Sequence, residues 1–91
     1  MVDPKITAKK TMTLYQAPRN RKLRIVSILG GEAVRRRLFA MGFQPNDLVE
    51  VDAQAILKGP LLVKNIAADM SVAIGRGIAL KILVEIAPDE K

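Results

Sequence analysis

The chain contains neither cysteine nor histidine. That removes disulfides, thiolate and imidazole metal sites, and every catalytic scheme that needs an imidazole. Aromatic residues make up only 3% of the 91 positions, so a core has to be assembled from Ile, Leu, Val and Ala. No apolar run approaches the roughly 20 residues that cross a bilayer, and Lys or Arg interrupts each one. The beginning of the chain shows no apolar stretch of the signal-peptide kind. A cytoplasmic location is the expectation, and the absence of cysteine is compatible with it. What is abundant is aliphatic: apolar residues reach 49%, enough for a single domain with one modest core.

Acidic residues are scarce in one region only. In the first 37 residues ten Lys and Arg stand against Asp3 and Glu32, while from Leu38 onward acids slightly outnumber bases. Most of the net charge of +6 therefore belongs to the N-terminal part. Such asymmetry suits an anionic partner, whether an acidic protein surface, lipid head groups or nucleic acid. The plainer reading is a solvated basic face that maintains solubility.

The most informative stretch runs from Glu32 to Val51. Val34, Leu38 and Met41 recur at helical spacing, which turns one stripe inward and leaves Arg35 and Arg36 outside. Gly42 stands where a helix needs a left-handed residue to stop, and Phe43 then falls back onto Leu38. Pro45 forbids any continuation of the helix. Beyond Asn46 and Asp47 the period changes to two, with Val49, Val51, Ala53 and Ala55 alternating with Glu50, Asp52 and Gln54. This is a helix, a stop and a strand.

The remaining pattern predicts a tail over 1–10, one domain over 11–87 and a short charged tail over 88–91. Thr11–Tyr15 reads as extended, Leu23–Ile28 as the first main strand, and Gly30-Gly31 as its break. A long strand from Leu48 to Leu57 turns at Lys58-Gly59-Pro60 and returns over Leu61–Ala67. A short strand over Met70–Ile74, a helical turn over Ile78–Lys81 and a closing strand over Ile82–Ile86 complete the order. The class is mainly β with one α-helix, a small partly open barrel. In the hairpin around Gly59, a two-residue loop would put Val49 and Val51 on the opposite face from Leu61 and Val63. A three-residue loop pairing Leu57 with Leu61 brings all of them to one face. Ile56 and Leu62 then oppose each other on the other face, either packed under the N-terminal segment or forming the apolar centre of a partner or self-association patch.

Little in the chain has the chemistry of a catalyst. Glu50 and Asp52 share one face of a strand, a spacing that holds a hard cation or does acid–base work only when further groups close the site. Gly75-Arg76-Gly77 resembles the opening of a dinucleotide fingerprint, but Leu80 occupies the third glycine's place and no βαβ unit surrounds it. Ser27 and Ser71 have no base to activate them. For nucleic acid there is basic charge without a recognisable motif.

Several motifs in order resemble the FeoA family of bacterial ferrous-iron uptake. They are Arg37-Leu38, Met41-Gly42-Phe43 and Pro45-Asn46, then Leu57-Lys58-Gly59-Pro60-Leu61, and finally Val72-Ala73-Ile74 through Ile82-Leu83-Val84-Glu85. The similarity spans about Thr11 to Ile86. It departs from the family at Asn46, where glycine is usual, although Asn tolerates the left-handed region better than other side chains. A second departure is the long basic lead-in.

The resemblance implies an SH3-like barrel that serves as a non-catalytic adapter, without a cofactor, on the cytoplasmic part of a FeoB-like membrane transporter. It also implies a cytoplasmic site, peripheral to the inner face of the membrane. The same domain type occurs at the C-terminus of DtxR-type repressors, so the alternative is a regulatory domain that binds nucleic acid or senses a metal. The residues expected to meet a partner are Ile56, Leu62, Arg19, Arg21, Arg24, Arg35 and Arg36. Those expected to hold the fold are Leu38, Gly42, Phe43, Pro45 and Gly59.

Overall fold

A computed structural model describes residues 10–52 and 59–88. The expected tail over 1–10 and the hairpin tip around Ile56, Leu57 and Lys58 thus lie almost wholly outside the described residues. The elements are β1 (Met12–Thr13), β2 (Leu23–Ile28), α1 (Gly31–Ala40), β3 (Leu48–Val51), β4 (Leu61–Asn65), β5 (Met70–Ile74), α2 (Arg76–Ala79) and β6 (Ile82–Ile86). All six strands join one antiparallel sheet in the order β1-β6-β2-β3-β4-β5. It curls into a small SH3-like, partly open barrel.

The sheet's curvature has a local cause. The pairing of β2 with β6 shifts between Ile25 and Ser27, which leaves Val26 as an extra residue. Leu23 and Ile25 point inward before this bulge and Ile28 points inward after it. A strand of strict period two would have buried Ser27 and exposed Ile28. One inserted residue bends the strand and re-phases its apolar face. The core is aliphatic, as the composition requires: Leu23, Ile25, Val49, Val51, Leu61, Val63, Ile74, Ile82 and Val84, with Leu14, Leu38 and Phe43 covering it.

Two expectations are corrected. The register of β3 with β4 is not the one expected. Val51 faces Val63 and Glu50 faces Lys64, whereas the expected register would have set Val51 against Ala67. The two registers differ by an even number of residues, so both bury Val49, Val51, Leu61 and Val63, and hydrophobic alternation cannot tell them apart. The second correction concerns α2, which begins at Arg76 rather than at Ile78. Ala79 N–H bonds the Gly75 carbonyl at 2.9 Å and Leu80 N–H that of Arg76 at 3.0 Å. The turn accepts Gly77, a poor helix former, and buries Ala79 in return.

Candidate functional site

The helix end is built as its residues suggest. Gly42 has φ +98°. The N–H of Phe43 bonds the Leu38 carbonyl at 2.9 Å and that of Gly42 bonds the Phe39 carbonyl at 2.9 Å, the two bonds of a Schellman stop. Phe43 and Leu38 are both buried, at 1% and 0% exposure. Asn46 takes φ +80° and donates its N–H to the Ile25 carbonyl at 2.7 Å, so the substituted turn position adopts the conformation expected of it.

Asn65 locks this corner to the sheet and was not singled out in the sequence. Its Nδ2 donates to the Gly42 carbonyl at 2.7 Å and to the Asp47 carboxylate at 3.2 Å. Its Oδ1 accepts the Ala68 N–H at 3.3 Å, and the same Asp47 oxygen accepts the Gln44 N–H at 3.0 Å. At 5% exposure, Asn65 ties the α1 exit to the β4–β5 turn. Its signal in the sequence was phase: it follows Leu61 and Val63 at period two, in a position that should be apolar. A polar side chain on a buried face needs partners, and those partners come from two distant segments.

The basic residues expected to meet a partner stand in different settings. Arg24 reaches Glu85 through Nε at 2.9 Å, and a second guanidinium nitrogen meets the same carboxylate oxygen. Glu85 is buried, so Arg24 compensates a charge that the β2–β6 pairing has taken from water. Arg19 folds back and donates to the carbonyls of Tyr15 and Ala17 at 3.3 and 3.0 Å. Arg21 is exposed. Arg35 and Arg36 are exposed on α1, and Arg36 meets Glu32 at 3.2 Å one turn earlier.

Of the expected apolar pair, Ile56 lies outside the described residues. Leu62 is half-buried; it sits opposite Ala73 of β5, and its carbonyl accepts the Asp52 N–H at 2.9 Å.

Two hollows involve the polar residues of the sheet and of α1. Asn20, Glu50, Asp52, Lys64 and Ser71 line an open cleft of about 240 Å³ on the outer side of the sheet. There Glu50 lies across from Lys64, and Lys64 Nζ meets Asp69 at 3.2 Å. The carboxylates thus belong to a mixed ladder of charges on a wet face. Among the described residues no three His, Cys, Asp or Glu side chains gather as a metal site would require. The second hollow, about 350 Å³ and wide open, lies over α1 between Glu32, Arg35, Arg36 and Phe39. Phe39 is 63% exposed there, the most exposed large apolar side chain among the described residues.

Comparison with known proteins decides the family. The family model for the FeoA domain matches residues 12–86. The chain belongs to the FeoA family. Among solved structures, the FeoA protein from Chlorobium tepidum is 30% identical, with a TM-score of 0.72 over 87% of this chain and 74% of that one. An iron uptake regulatory protein, FeoA, is 27% identical, with a TM-score of 0.74 over 86% of this chain and 99% of that one. A manganese-dependent transcriptional repressor shares the fold at 16% identity and a TM-score of 0.75; the match covers 88% of this chain and 44% of the repressor. Among curated proteins no match is found. As a FeoA-family member, the chain falls among proteins of ferrous-iron transport. Among the described residues no helix is long and apolar enough to cross a membrane.

Proposed function

We propose that this FeoA-family chain is a non-catalytic accessory protein of ferrous-iron uptake. It acts as an adapter on the cytoplasmic part of a FeoB-like transporter, and so works in the cytoplasm against the inner face of the membrane. The observation that carries this reading is the family match over residues 12–86, which spans every strand of the barrel. The chain's chemistry supports it. Without a cysteine or histidine, it lacks the side chains that best hold transition metals, and an adapter for a transporter has no need to carry the ion itself. Several polar side chains serve the fold: Asn65 ties two turns, Arg24 neutralises Glu85, and Lys64 pairs with Asp69.

The test has two arms. In cells deprived of this protein, uptake of ferrous iron should fall and return when the gene is restored. The purified chain should bind the soluble cytoplasmic region of the transporter from the same cell in an interferometry or calorimetry experiment. Undiminished uptake together with no binding would overturn the reading.

A further inference from the structure

We propose that the outer face of α1, centred on Phe39 and flanked by Arg35 and Arg36, is the surface by which this protein docks on its partner, and that the partner presents an apolar socket rimmed by carboxylates. The proposal rests on the adapter reading and names its surface.

The chain has two phenylalanines with opposite roles. Phe43 is sealed into the core as the final contact of the helix stop, whereas Phe39, four residues earlier, is 63% exposed. Folding gains little from Phe39, because the residues of α1 and its exit that pack on the core are Val34, Leu38 and Met41. Such a ring is an available anchor. It stands on a platform held by the Schellman bonds and by Asn65, so binding would cost little ordering of the backbone. Arg35 and Arg36 lie four and three residues before Phe39, on the same side of the helix, and with Glu32 these residues surround one hollow. An aromatic beside arginines is the composition in which binding energy concentrates at protein interfaces.

Charge selects among occupants. A second copy meeting this face across a two-fold axis would set Arg35, Arg36 and their neighbour Arg37 against themselves, so self-association through it is opposed. An anionic bilayer would attract the arginines but repel Glu32, which lies on the same stripe, and a single exposed ring supplies little apolar area to insert. A protein surface with fixed carboxylates answers the arrangement best. The Arg36–Glu32 pair at 3.2 Å has both side chains more than 70% exposed. A pair of this kind is weak, and the Arg36 guanidinium can exchange Glu32 for a partner's carboxylate at little cost.

The experiment measures binding of the 91-residue chain to the transporter's soluble cytoplasmic region. It compares the wild type with Phe39→Ala, the double variant Arg35→Glu/Arg36→Glu, and Arg21→Glu, a charge reversal on an exposed residue elsewhere. Melting by circular dichroism accompanies each. Phe39→Ala should raise Kd by about tenfold or more, mainly through a faster off-rate. The double reversal should slow association by about tenfold at low salt and remove most of its salt dependence. Arg21→Glu should change Kd by less than about threefold, since a lone exposed charge away from the contact acts weakly.

If the wild type does not bind, the adapter reading falls and takes this surface with it. If the wild type binds and Phe39→Ala binds equally well, the adapter reading stands and the surface is overturned. Vesicles of phosphatidylglycerol and a single-stranded oligonucleotide are tested beside the protein. Phe39-dependent capture by either, with no Phe39 dependence toward the transporter region, would overturn the assignment to an acidic protein partner.

Discussion

The two faces of α1 obey different rules. On the inner face each contact is set by packing: Leu38 is fully buried, Val34 and Met41 lean on the core, and the helix ends in two backbone bonds at Gly42 and Phe43. On the outer face Arg35, Arg36 and Phe39 touch little of their own chain. The helix thus packs the core on one side and presents the proposed docking surface on the other. The difference shows how to separate the two kinds of residue in so small a domain. A side chain whose removal unfolds the barrel belongs to the first, and one whose removal changes only what the barrel meets belongs to the second.

The largest break in that comparison should come from Leu38→Ala. A fully buried leucine at the junction of helix and sheet leaves a cavity when truncated, and we expect a loss of about 2–5 kcal/mol in urea unfolding. A loss below about 1 kcal/mol would mean that α1 is not fastened where the core says it is. Gly42→Val comes next. The valine would sit at φ +98°, and its Cβ would approach the end of the Met70 side chain at 2.6 Å. The left-handed strain costs about 1–3 kcal/mol for a side chain other than glycine, while the flexible Met70 can yield. Gly31→Ala sharpens the point, because Gly31 has φ +86° but nothing within 4 Å of an added Cβ. It should lose less than Gly42→Val in the same urea unfolding, since alanine brings neither the crowding against Met70 nor the β-branch that valine adds at positive φ.

Asn65→Ala removes the bonds to Gly42, Asp47 and Ala68. A drop of about 1–3 kcal/mol is expected, the cost of leaving buried polar groups without partners. Hydrogen exchange should show faster opening of the Gly42 to Asp47 corner than of β6; equal opening would argue against the lock. The smallest effect on stability belongs to Phe39→Ala, within about 0.5 kcal/mol of the wild type, as for an exposed side chain with no structural role. A thermal melt that fell by many degrees would move Phe39 from the proposed docking surface to the structural side of the helix.

The strands β2 and β6 and the helix stop were legible in the chain because each rests on local chemistry. Leu23–Ile28 is a short β-branched-rich run bounded by Gly30-Gly31, and Met41 to Asn46 contains its own stop, proline and left-handed turn. The β3–β4 register was not legible, because alternation repeats every two residues and accepts any even slip. The different settings of the basic residues were not legible either. Arg19, Arg24, Arg35 and Arg36 are alike as letters, but Glu85 claims Arg24 from 61 positions away, and nothing near Arg24 in sequence announces that partner. Phe39 was visible only as one of three aromatics. Its position outside the apolar stripe of Val34, Leu38 and Met41 was the available signal.

By itself the sequence determined where α1 stops, which strand faces are apolar, and the chemistry that is out of reach without cysteine or histidine. These follow from backbone preferences, from period, and from the side chains' own reactivity, all of which act over a few residues or none. Only the tertiary structure decided that Val51 meets Val63, that a bulge at Val26 turns Ile28 inward, that Arg24 is tied to Glu85, and that Asn65 holds two corners together. Each of those depends on which distant segment arrives alongside. The close packing of one aliphatic core sets that arrival, and nearest-neighbour preference along the chain does not.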